Sequence, residues 1–234
     1  MSGPAFPPLF QGLATAGADP FAAACSEARA GCDAGLVTYD ITLDRLQAAI
    51  VFAPEVPLRD AMVMLPLCGI GFQNALGALA PPEVSVHLEW QGNIRVNGAV
   101  CGAMQVAASP QEPEQEPDWL VVGLTLELWS AGQDKGDTPD KTTLYDEGCS
   151  EVDAVHLLEA WVRHSLVWLN RWDEDGVRPI HIEWTGLAHG KGDTLSFGAQ
   201  SGTYIGVDET FGLLLQQDAQ TVMIPITQTL TEAP

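Results

Sequence analysis

The stretch Trp90-Gln91-Gly92-Asn93-Ile94-Arg95-Val96-Asn97-Gly98-Ala99-Val100-Cys101-Gly102 decides the reading of this chain. Asn97-Gly98 stands between two β-like runs, residues 93–96 and 100–107. A type I′ connection needs positive φ at both central positions, and Asn-Gly accepts that with little strain. The stretch is therefore expected to form a β-hairpin, with Ala99 just past the turn. Ahead of it, residues 84–90 place Val84, Val86 and Leu88 on one face of a half-buried strand.

Working outward toward the N-terminus, Pro57 opens a long apolar run to Ala80, which Pro81-Pro82 ends. It reads as a helix kinked at Pro66. Its segment from Ala61 to Ala80 is apolar enough to suggest a membrane span, but it contains Pro66, Gln73 and Asn74 and has no basic flanks. The reading is a buried helix. Strands are expected over residues 36–39 and 47–53, joined by the loop 40–46. Asp19-Pro20 starts a helix that runs through Ala30 and stops at Gly31.

Toward the C-terminus, the acidic, proline-bearing residues 109–118 read as a solvated loop, and 119–128 as an alternating strand. A polar loop, residues 130–148, carries Lys135 and Lys141. Ser150 is placed as the cap of a long helix whose Leu158, Trp161, Val162, Trp168 and Trp172 recur at three- and four-residue steps, and Gly176 closes it. That tryptophan stripe reads as core. From Lys191 onward the pattern changes to short strands at 194–197, 203–207, 212–215 and 222–226, a small barrel of about five strands. The pattern reads as an α/β layer domain followed, from about residue 191, by a small β-barrel.

Composition excludes some partners. Thirty-one acids face ten bases, for a net charge of −21. No basic cluster exists to displace counterions, so binding to nucleic acid or to anionic membrane surfaces is disfavoured. Five cysteines lie scattered without a Cys-x-x-Cys pair, and the N-terminal residues show no signal-peptide pattern. Reduced thiols and the cytoplasm are expected.

The quoted stretch resembles the biotin–protein ligase and lipoate ligase family, in which Trp-Pro-Asn-Asp precedes a strand, a turn, a lysine and a glycine three residues later. Gly202-Thr203-Tyr204-Ile205-Gly206-Val207-Asp208 with Gly212-Leu213-Leu214-Leu215 is similar to that family's C-terminal barrel strands. The helix ending at Trp172, with Gly176 and Pro179, is similar to its last long helix. Leu79–Val84 and Gly186–Gly190 resemble strings of a bacterial biotin/lipoate ligase-like group whose C-terminal segment has no assigned function. The resemblance implies an α+β fold, with a mixed sheet related to class II aminoacyl-tRNA synthetases and helices on one face over residues 1–190, an SH3-like barrel over 191–234, no preceding DNA-binding domain, and a biotin- or lipoate-like ligand with an acceptor-domain protein as partner.

It also implies a chemistry that the residues do not supply. Forming an acyl-adenylate brings a carboxylate against a triphosphate, and positive groups must meet the developing charge. The family provides them from a Gly-Arg-Gly-Arg loop and the hairpin lysine. Here the loop 40–46 holds Arg45 alone and no glycine, and Ala99 stands at the lysine position, with no lysine near it in sequence. Trp90, Asn93, Gly102 and Arg45 remain as the ligand-binding candidates, with Gly102 as floor and Trp90 as wall of a pocket for a neutral or weakly anionic ligand. Arg95 is expected to face water.

Two alternatives stay open. Octanoyl and lipoyl transferases of the same fold use cysteine without ATP, which makes Cys101, or Cys68 in the long helix, a candidate nucleophile. A module with its pocket filled by side chains would serve protein interaction only. Elsewhere, His181, Glu183 and His189 suggest a metal only if they lie on a strand, whereas the resemblance makes this segment a helix. Gly190-Lys191-Gly192-Asp193 reads as the turn into the barrel rather than a phosphate loop.

Overall fold

A computed structural model describes residues 3–130 and 140–234. Lys135 lies outside the described residues. The strands β1 (Gln11–Ala14), β2 (Leu36–Ile41), β3 (Arg45–Phe52), β4 (Val86–Leu88), β5 (Asn93–Val96), β6 (Ala99–Ser109) and β7 (Trp119–Glu127) form one sheet in the order β1-β2-β3-β7-β6-β5-β4. β1 pairs with β2 in parallel and the rest are antiparallel, so the sheet is mixed, as expected. The hairpin is present: Val96 pairs with Ala99, with φ of 50° at Asn97 and 95° at Gly98.

One face of the sheet carries the main core. Leu46, Ala48 and Ile50 of β3 and Leu120, Val122, Leu124 and Leu126 of β7 pack there against α3 (Met64–Leu79) and α4 (Ala154–Asp175). The two helices approach closely because a Cβ at Gly71 would lie 2.6 Å from Ser165 Oγ. Trp161 donates its indole N–H to Cys68 O at 3.0 Å, and Trp168 donates to Asn74 Oδ1 at 2.8 Å. The tryptophan stripe is therefore core, with each of these two polar tips satisfied.

Several local expectations need correction. The apolar run from Pro57 is two helices, α2 (Leu58–Ala61) and α3, and the break comes before Pro66. Pro66 then falls in the first turn of α3, where its missing N–H costs nothing. Of the most apolar window in Leu58–Leu79, 72% is buried inside the protein. Asp153, not Ser150, caps α4: its carboxylate accepts from His156 N–H at 2.9 Å. Residues 109–118 do more than sit in solvent, because the carbonyls of Pro113 and Gln115 accept from Arg59 and Leu58 at the start of α2.

The helices do not all lie on one face. α1 (Pro20–Arg29), capped by Asp19 through Phe21 N–H, packs on the opposite face with Phe21, Ala24 and Cys25 against Ala49, Val51, Ala107 and Val121. A Cβ at Gly123 would lie 2.6 Å from the Phe21 ring, so the small residue lets the helix seat. α1 covers only the Phe52 end of β3 and leaves the Arg45 end of this face bare.

After α5 (Arg178–Leu187), β8 (Thr194–Phe197), β9 (Gln200–Val207), β10 (Leu213–Gln217) and β11 (Gln220–Ile224) form a second, antiparallel sheet in the order β11-β10-β9-β8. The described residues give it four strands rather than about five, followed by a 3₁₀ turn, Ile226–Thr229. Residues 190–193 are the turn into β8, with Gly190 at φ 76° and Gly192 at φ 97°.

Candidate functional site

The residues singled out in the sequence separate into two places. Trp90 faces the second sheet: its indole N–H donates to Phe211 O at 2.7 Å, and its ring meets Phe197 edge-on at 5.0 Å. Beside it, Asn93 donates to Glu89 Oε2 at 2.7 Å. The gap that these two residues share holds about 20 Å³, room for a water molecule and no more. Gly92, at φ 99° and with Met104 O 2.3 Å from where a Cβ would sit, makes the tight turn that positions Trp90. Trp90 and Gly102 do not line one pocket. Trp90 joins the two sheets.

Gly102 and Arg45 do come together. They line a cavity of about 380 Å³ on the α1 face of the main sheet, at the end that α1 leaves bare. Its floor is Gly102 and Ala103 of β6 with Thr125 of β7. Its sides are Arg45 and Glu127 on one hand and residues 141–143 on the other. Gly102 belongs at this spot for a backbone reason: a Cβ would fall 2.4 Å from Thr125 O. The size lies within the range of small-molecule sites.

Arg45 is not on a flexible loop. β2 and β3 are joined by residues 42–44 alone, so Arg45 opens β3 and its guanidinium pairs with Glu127 Oε1 at 3.2 Å. Arg95 is not free in water either: it pairs with Glu89 and donates to Gly98 O at 2.7 Å. Both arginines thus have carboxylate partners.

Cys101 borders the cavity but is fully buried, with Sγ 3.5 Å from Glu127 O. Burial pushes its thiol far up, and the neighbouring Cys149, Glu147, Glu127 and Asp146 push it further. Burial pushes Cys68 up to about 12, with the nearby Ser165 hydroxyl drawing it down by less. The groups that shift Cys101 all raise it, and at Cys68 burial outweighs the lowering by Ser165, so neither place favours the thiolate that a nucleophile needs. All five cysteines are free thiols. The His181-Glu183 segment lies in α5 as the resemblance implied: the tilted rings of His181 and Phe211 lie 5.5 Å apart, and His189 meets His87 at 6.1 Å. No group of three or more metal-ligating side chains converges among the described residues.

Sequence reasoning missed residues 140–143. Val100 N–H donates to Asp140 O at 2.7 Å and Thr142 N–H donates to Val100 O at 2.9 Å, a parallel bridge that sets Lys141 beside Val100. The absence of a lysine near Ala99 in sequence is thus not an absence in space. A single bridged residue carries no periodicity, so nothing local in the sequence signals this pairing.

A helix-backed seven-stranded mixed sheet, a cavity at its hairpin end and a small C-terminal antiparallel sheet define the biotin ligase class of fold. The chain belongs to the Biotin/lipoate A/B protein ligase family, whose sequence profile matches residues 6–186; residues 192–232 match a domain of unknown function, DUF4444. A crystal structure of a biotin protein ligase-like protein of unknown function from Silicibacter sp. is 57% identical and superposes with a TM-score of 0.93 over 98% of this chain and 100% of that one. The biotin protein ligase of Aquifex aeolicus shares the fold at 15% identity, with a TM-score of 0.74 over 92% of this chain and 96% of that one. A variant of the Aquifex enzyme in complex with biotin gives 0.72 at 15% identity, over 93% and 96%. No curated protein matches the chain.

Proposed function

We propose that this protein binds a small acyl or cofactor-like ligand, of the biotin or lipoate kind, in the cavity beside Gly102, and does not carry out ATP-dependent ligation. The observation that carries this reading is an open cavity of ligand size whose arginine is already neutralised by Glu127. A triphosphate needs several converging positive groups. Ala99 supplies none, and the turn at residues 42–44 is too short to form an arginine-rich loop. The open cavity weighs against a pure interaction module with a filled pocket. The burial of Cys101 among carboxylates weighs against a cysteine-dependent acyltransferase. We divide the chain into a ligand-binding part, residues 1–190, and an appended part, 191–234, and place the protein in the cytoplasm with an acceptor-type protein as its partner.

The test is calorimetric titration with biotin, lipoate and Mg-ATP. Binding of at least one of the acids is expected, with no saturable heat from ATP. Micromolar ATP affinity, about 8 kcal/mol of binding free energy, would overturn the reading.

A further inference from the structure

Residues 140–143 are held firmly where they meet β6. The Thr142 hydroxyl donates to Glu147, and the Thr143 hydroxyl to Asp146 Oδ2 at 3.1 Å. Glu147 also accepts from Asn97 Nδ2 at 2.9 Å, which ties this segment to the tip of the hairpin. Lys141 is thereby carried on an anchored backbone next to Val100, one residue from the alanine that replaces the expected lysine. Its side chain is exposed, lines the cavity, and has no ion-pair partner among the described residues.

We propose that Lys141 is the charged contact of this cavity, and that it takes the carboxylate of a small monoanionic organic acid. The inference rests on the reading of the cavity as a ligand site and adds its charge preference. Arg45 is committed to Glu127, so among the described residues Lys141 is the positive charge left at the cavity to meet a ligand. The hydroxyls of Thr142 and Thr143 already donate to Glu147 and Asp146 and are not free to donate to a second anion. The Glu147 carboxylate, which holds this segment to the hairpin, stands near the cavity and repels multiple negative charge. A lysine ammonium is a compact point charge that a single carboxylate matches. The balance admits an acid of charge −1 and discriminates against phosphate and polyphosphate.

The experiment measures binding of acid–amide pairs (octanoate and octanamide, biotin and biotinamide, lipoate and lipoamide) to the wild-type protein and to Lys141→Met and Lys141→Arg. For the pair that binds, the acid should be favoured over its amide by about three- to fivefold, the scale of an exposed ion pair. The preference should vanish in Lys141→Met, persist in Lys141→Arg, and shrink as salt is raised. Equal binding of acid and amide to the wild type, or a preference that survives Lys141→Met, overturns the role of Lys141 while leaving the ligand site standing. Failure of every acid and every amide to bind overturns the ligand-site reading itself, and the inference with it. Because Lys141 is exposed, unchanged thermal unfolding of both variants confirms that only the contact was altered.

Discussion

On the face that meets α3 and the second sheet, the hairpin region is closed: Trp90 is buried, bonded to Phe211 O and set edge-on against Phe197, and the space left beside it admits one water. On the opposite face the same strands are open, with Gly102 and Ala103 flooring a cavity of about 380 Å³ that α1 stops short of covering. Adjacent residues of one motif therefore serve different ends. The aromatic residue that looks like a ligand wall in the sequence is an internal tie, and the small residues beyond the turn floor the open cavity.

The contrast can be broken most severely at Trp90. Trp90→Ala removes a fully packed indole and leaves Phe211 O without its donor, so a stability loss of about 3–5 kcal/mol is expected, measured by denaturant unfolding. Affinity for a cavity ligand should stay unchanged wherever the variant remains folded. Loss of ligand binding with stability intact would return Trp90 to the site.

A middle-sized effect separates the buried thiols from the surface. Burial raises Cys25 to about 11 and Cys68 to about 12, and it raises Cys101 as well. A thiol with a raised folded pKa stays neutral when its unfolded counterpart ionises. Its contribution to stability is whole below the unfolded value, about 8.5, and is lost as pH climbs toward the folded one. Unfolding free energy should thus decline between pH 8 and pH 11. Without denaturant at pH 8, a thiol reagent should label the half-buried Cys32 and spare Cys68 and Cys101. Rapid labelling of Cys101 in the native protein would reopen the cysteine-transferase reading.

The smallest effect is at Arg45. Its pair with Glu127 is about two-fifths exposed on each side, and solvent screens it, so Arg45→Ala should cost less than about 1 kcal/mol in the same unfolding assay. A larger loss would mean that the cavity rim carries structure as the Trp90 side does.

Much of this fold was legible where local chemistry decides. Asn97-Gly98 admits few alternatives to a tight hairpin, and the tryptophan stripe of α4 has a helical period that only a buried face explains. What was not legible depends on which groups meet across the fold. Asp153 and Ser150 are both acceptable caps, and only the position of the first turn against the core chooses Asp153. Nothing in α1 says which face of the sheet it will cover; Gly123 decides that by making room for Phe21. For the candidate site, the sequence offers residue types but not which of them share a cavity. Gly102 and Arg45 share the cavity, Trp90 and Asn93 do not, and Lys141 arrives through one backbone bridge between distant segments.

The central claim, a ligand site without the charge needed for adenylate chemistry, is tested most directly by exchange of labelled pyrophosphate into ATP with biotin or lipoate present. With an active biotin ligase run in parallel as the positive control, the account predicts exchange no faster than the protein-free background. Exchange that depends on biotin or lipoate and on this protein would contradict it, and would mean that Arg45 and Lys141 together suffice to hold a triphosphate.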